Sequence, residues 1–176
     1  MPDSHGFIPA SFPCPETANM LYWQKKRSGD DPMYPDREKA RQILEQGGHT
    51  CVLCCAEKIY TDDRRGVRPL LDLLEQSRNW HSFCAADKVV GKAAAFLYRL
   101  MGIQALYAQV VSEPAAKVLA DGGIELSYGT LVPAIRNRTD TGFCPMETAV
   151  WELDDPEEAL AALKVTLKNL TKNAGS

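Results

Sequence analysis

A three-layer α-β-α domain built on a mixed sheet of about five strands is the fold class that this sequence predicts, and three observations predict it. Short β-branched, apolar runs alternate with amphipathic stretches at helical spacing from residue 36 onward. One adjacent pair of runs, "TCVLCCA" and "KIYTDD", reads as a hairpin, whereas each later run is separated from the next by a helix. That arrangement makes parallel strands whose right-handed crossovers lay helices on the sheet. The third observation is size: 176 residues, 45% of them apolar, suit one domain with a two- or three-layer core.

The elements follow in order. Residues 1–35 hold six of the eleven prolines, mixed with Gly, Ser and Asp and without a sustained period, and read as a flexible N-terminal extension to a domain spanning 36–173. In "DREKARQILEQGG" Ala40, Ile43 and Leu44 share one stripe and a glycine pair ends the helix. After the hairpin, the basic turn "RRGVRP" opens "LLDLLEQS", whose leucines make a broad apolar face. "SFCAA" is a buried strand, and "DKVVGKAAAFLYRLMG" reads as a long helix with Asp87 as N-cap and Gly102 as stop. "ALYAQVV" and "IELSYG" are two further strands flanking the helix "EPAAKVLADGG", in which Pro114 suits the first turn. A loop over 129–143 leads to a short helix behind Cys144. Asp154 or Asp155 with Pro156 then starts a C-terminal helix, acidic in its first turn and basic in its last.

Composition narrows the function. The longest apolar window, "VVGKAAAFLYRLMGI", is broken by Lys and Arg short of the roughly 18 to 20 residues that a bilayer span needs, and Met1 to Ala10 lacks the regions of a signal peptide. Six cysteines without regular spacing read as reduced thiols. A cytoplasmic location is expected, with no membrane partner. A formal net charge of -3 and no Lys/Arg-dense face speak against a nucleic-acid partner.

Six segments, "TCVL", "RGVRPLLDLL", "ADKVVGKAAAFL", "VVSEPAAKVL", "ELSYGTLVPAIRNR" and "TGFCPMETAV", together resemble the small bacterial family of domain of unknown function 1893 over roughly residues 38–170. The resemblance implies a cytidine-deaminase-like fold, which the order of the elements independently matches, and it implies no activity. Zinc deaminases of that fold carry His-x-Glu and Pro-Cys-x-x-Cys at two successive helix N-termini. Aligned by element, those helices open here with "RRGVRP" and "ADKVVGK", which contain neither Cys nor His. No metal, and no cofactor, is expected.

Open α/β sheets bind ligands beyond the carboxyl ends of their strands, where helix N-termini point N–H groups outward. Arg65, Gly66 and Arg68 stand at the first such end and would suit an anion, or are solvated turn residues. Asp87, Lys88 and Lys92 stand at the second, with the two lysines four residues apart and so on one helical face. Gly91 implies a close contact, with packing or with a ligand. Ser112 and Glu113 mark the third end. Cys144 reads as the N-cap of "PMETAV" with Glu147 at the position of a capping box, and its roles stay open: a buried turn residue, a thiolate nucleophile, or a ligand contact. Arg136, Arg138 and Asp140 lie in the loop before it.

The expected function is binding of a small anionic metabolite, phosphorylated or nucleotide-like, on a zinc-free deaminase-like scaffold, with Cys144, Asp87 and Lys88 as catalytic candidates. One alternative is a non-catalytic regulatory or partner-docking domain. Another is a transferase or redox enzyme dependent on Cys144.

Overall fold

The computed structural model describes residues 33–76, 78–137 and 141–173. The expected extension, residues 1–35, lies almost wholly outside them. The described chain runs α1 (Pro35–Gly47), β1 (Cys51–Cys55), β2 (Lys58–Asp62), α2 (Arg68–Glu75), β3 (Cys84–Val90), α3 (Lys92–Met101), β4 (Ala105–Ser112), α4 (Glu113–Asp121), β5 (Glu125–Val132), α5 (Pro145–Val150) and α6 (Pro156–Asn173). Among the described residues no helix is long and apolar enough to cross a membrane.

The five strands form one mixed sheet in the order β2-β1-β3-β4-β5. β1 runs antiparallel to β2 and to β3, while β3, β4 and β5 are parallel. This sets the start of β1, the end of β2 and the ends of the three parallel strands along one sheet edge, with Cys51 facing Asp62 on one side and Asp87 on the other.

Strand alternation sorts the core into two parts. Val52, Cys54, Ala86 and Tyr107 turn toward α1, where Ala40 and Leu44 cover them. Cys51, Leu53, Ala85, Leu106 and Ala108 turn to the opposite face, where α2, α3 and α4 pack. α3 is the centre of that layer: Ala93 to Tyr98 are all buried, and fully burying Phe96 and Leu97 stabilises the fold by about 1.5–3 kcal/mol each. α6 packs on α3 and α5 and closes the layer with Ala159 and Leu163.

Expectations change at two places. β3 continues through Asp87 to Val90, so Asp87 is a strand residue and caps no helix, and α3 begins only at Lys92 with Gly91 as its N-cap. The cause is pairing with β4: Val89 and Val90 are β-branched, and they extend a parallel ladder to Val110 and Val111. Lys88 and Lys92 therefore share no helical face. β5 likewise runs on past Gly129 to Val132, paired with the end of β4. At the C-terminus Asp155 is the cap, its Oδ1 accepting from the N–H groups of Glu157 and Glu158.

Candidate functional site

The sheet edge where β3 passes into α3 concentrates the buried polar chemistry. α3 has no N-cap side chain of its own, since Gly91 holds that place. Its open N–H groups are met from α5: those of Lys92 and Ala93 donate to Glu147 Oε2 and Oε1 at 2.8 and 2.9 Å. Glu147 is only 3% exposed. A carboxylate in this position is favoured by the helix dipole and by two charge-assisted bonds. Burial pushes its carboxyl up from the usual range, while the two N–H groups and the Lys92 charge pull the other way. The buried Lys92 ammonium in turn donates to the Trp151 carbonyl at 2.6 Å, so both ends of α5 are tied to the first turn of α3.

This contact explains Gly91. Its backbone is extended and any residue could adopt it, but a Cβ there would lie 2.3 Å from Glu147 Oε1 and 2.5 Å from Cδ. As an N-cap, glycine is also preferred over alanine. At this position Gly91→Ala is expected to cost about 1–3 kcal/mol through overpacking, measured by urea unfolding.

A second arrangement lies beneath. The Tyr98 hydroxyl, on the buried face of α3, donates to Asp87 Oδ2 at 2.8 Å, and Cys51 Sγ sits 3.2 Å from the same hydroxyl. Asp87 Oδ1 accepts from the Val89 N–H at 3.0 Å. Burial pushes the Asp87 carboxyl up to about 6, against the pull of those donors. Cys51 also lines a cavity of about 200 Å³ between β1, β2 and α2. At its rim Arg64 bridges Asp62 and Asp72, each at 2.7 Å, and holds the Asp62 carboxyl below its usual range.

The remaining candidates disperse. Arg65 and Gly66 are exposed in the β2–α2 connection, where Gly66 takes φ 80°, a left-handed conformation that suits glycine, and Arg68 is exposed as the first residue of α2. Lys88 donates from Nζ to the Gly48 carbonyl at 3.0 Å, beyond the end of α1. Ser112 is buried and caps α4, accepting from the Ala115 N–H, with Glu113 exposed as the first residue of that helix. Glu113 shares an open groove of about 650 Å³ with Lys92, Arg99, Lys117 and Trp151. Arg136 pairs with Phe143 in an isolated bridge, and Arg138 and Asp140 lie outside the described residues. Cys144 is the N-cap of α5 as the sequence indicates, but its thiol makes no capping bond and packs at the edge of the core. Glu147 does not close a capping box on that helix; it reaches α3 instead. Among the described residues no three His, Cys, Asp or Glu side chains gather as a metal-binding group.

Sequence reasoning missed Tyr98 and Arg64, and it read Cys51 only as a reduced thiol packed in the core. The one usable signal was the phenol of Tyr98 inside the apolar run "AAAFLYRLM", since a buried tyrosine hydroxyl requires a partner.

Comparison with known proteins agrees with this architecture. A crystal structure of a DUF1893 family protein from Thermotoga maritima superposes with a TM-score of 0.69 at 26% identity, covering 82% of this chain and 94% of that one. No curated protein matches. The family described as "Domain of unknown function (DUF1893)" matches residues 39–167. With most of its length matched, the chain belongs to the DUF1893 family.

Proposed function

We propose that this protein binds a small anionic metabolite, phosphorylated or nucleotide-like, at the β2–α2 connection of a zinc-free, cytidine-deaminase-like scaffold in the bacterial cytoplasm. The element order and a hairpin followed by parallel βα units support the deaminase-like scaffold. Zinc does not fit the two helix N-termini that hold it in deaminases. One begins with Arg68 and Pro69, and the other with Lys92 and Ala93, whose N–H groups are already taken by Glu147. Neither offers a thiol or an imidazole.

The observation that carries the reading is the contrast between those two helix starts. At α3 an anion is already in place, and it is Glu147. At α2 no side chain caps the N-terminus and no acid lies in the first turn. Beside it the exposed guanidinium groups of Arg65 and Arg68 have no hydrogen bond or ion pair to any described residue. A dipole end with two uncommitted bidentate cations is suited to a phosphate or carboxylate.

A thermal-shift screen against phosphorylated metabolites and nucleotides tests this. A binding ligand at about a hundred times its Kd adds about 2.7 kcal/mol, and Arg65→Ala with Arg68→Ala is expected to abolish the gain. Stabilisation retained in the double variant would move the site elsewhere, and none with any compound would overturn the reading. The docking alternative has one observation in its favour: Phe143 and Trp151, 51% and 39% exposed, pack with their ring centres 5.3 Å apart. A Cys144-dependent reaction has none, because that thiol has no hydrogen-bond partner among the described residues.

A further inference from the structure

We propose that Cys51, Tyr98 and Asp87 form a nucleophilic site opening into the cavity between β1, β2 and α2, in which Cys51 attacks a small electrophile and its proton passes through Tyr98 to Asp87. This is independent of the anion reading, since neither Arg65 nor Arg68 takes part.

Donor arithmetic fixes the direction of the chain. A tyrosine hydroxyl has one proton, and Tyr98 gives it to Asp87 Oδ2. The contact between Cys51 Sγ and the same oxygen must then use the thiol proton. So with Asp87 ionised, each group points its proton toward the carboxylate. Burial pushes the Cys51 thiol far up, leaving little free thiolate at neutral pH, so attack depends on a base that takes the proton as the bond forms. Protonated Asp87 reverses the chain, and Cys51 loses its acceptor.

The other charged groups near the chain are committed. Arg64 is held by Asp62 and Asp72 across the cavity, Lys88 by the Gly48 carbonyl, and Lys92 by the Trp151 carbonyl. Cys51 from β1 and Tyr98 from α3 are the titratable side chains bonded to this network, and the β4 partner of Asp87 is Ala108. The cavity, about 200 Å³, is smaller than the roughly 300–1,000 Å³ of drug-sized sites. Its lining mixes apolar side chains, among them Cys51, Leu53 and Leu73, with the polar Thr61 and Gln76, and the charges of Arg64, Asp62 and Asp72 neutralise one another in part. The occupant that fits is a small carbonyl compound. Its carbon bonds Sγ, its π pair moves to oxygen, and a proton returns from Asp87 through the Tyr98 hydroxyl to that oxygen, giving a hemithioacetal with nothing else consumed.

Iodoacetamide labelling of the full chain, followed by mass spectrometry at Cys51 and Cys54 between pH 5 and 8, tests the site. With this probe the S–C bond replaces C–I, iodide leaves, and Asp87 holds the proton. Cys54 is the internal reference, fully buried on the opposite face of the same strand. The expected result is labelling of Cys51 at least about tenfold faster than Cys54, rising through about pH 6, the value of Asp87. Tyr98→Phe and Asp87→Asn are expected to slow Cys51 on the order of a hundredfold while leaving Cys54 unchanged. Acetaldehyde should protect Cys51 alone. Equal rates at Cys51 and Cys54 in the parent, or parental Cys51 rates in a Tyr98→Phe protein, overturn the site; absence of protection overturns the carbonyl assignment. Should a variant unfold, Cys54 accelerates with Cys51, and the parent's ratio and pH midpoint then decide.

Discussion

Glu147→Ala is expected to lose about 3–5 kcal/mol of stability, with a fall in Tm of about 10 °C or more. Two hydrogen bonds to a charged acceptor disappear, each contributing about 1.5–3 kcal/mol, and the N–H groups of Lys92 and Ala93 are left buried without a partner. Lys92, 8% exposed, also loses the negative charge nearest its buried stem. Glu147→Gln keeps one acceptor but turns an amide NH₂ toward a backbone donor, so about half the loss is expected. Hydrogen exchange should show where it falls: protection is lost first at the start of α3 and through α5. A double-mutant cycle separates this contact from general damage, because the cost of Gly91→Ala arises from Glu147 and should largely vanish once that side chain is gone. A Glu147→Ala protein within about 1 kcal/mol of the parent would show that solvent or another group caps α3 as well.

The legible part of this fold is the part written locally. The apolar, β-branched run "TCVLCCA", the leucine face behind "RRGVRP" and the glycine stop at Gly102 each depend on neighbours within a turn or a strand, and each stands as read. The reading slipped where two segments far apart decide the outcome. "DKVV" carries a good N-cap residue, so it passes for a helix start, and only its ladder with β4 makes it strand. Glu147 sits where a capping box would use it, yet its acceptors serve a helix start 54 and 55 residues earlier. The same holds for the site. Asp87 is visible as an acid near a strand end, but its partners come from Cys51, 36 positions earlier in the chain and opposite it in the sheet, and from two turns into α3. Nothing within a local window distinguishes Cys51 from Cys54, which faces the other core.

The parent is expected to lose about 2–3 kcal/mol of stability relative to Asp87→Asn as pH rises from about 4 to 7.5. Asp87 ionises at about 6 in the folded protein against an ordinary value of 3.8, so its charge destabilises the fold. A raised folded value means that the contribution is fully present below about pH 4 and is lost as pH climbs through about 6. The gap of roughly two units corresponds to about 3 kcal/mol, at about 1.4 kcal/mol per unit. Asparagine is a fair copy of the protonated acid here: its oxygen can accept from the Val89 N–H, its NH₂ can donate to the Tyr98 oxygen, and Tyr98 can then turn its proton to Cys51. The two proteins should therefore be nearly equal near pH 4 and diverge above it, in urea unfolding at a series of pH values. Asp62, held below its usual range by Arg64, works in the opposite sense, with stability present above its unfolded value and lost as pH falls. It is common to both proteins and cancels in the difference. A stability difference that stays constant from pH 5 to 8 would mean that Asp87 does not titrate there, and the protons of the Cys51–Tyr98–Asp87 chain would then have no acceptor that changes state near neutrality. In Tyr98→Phe the hydroxyl that favours the carboxylate is gone, so the same window should move to higher pH.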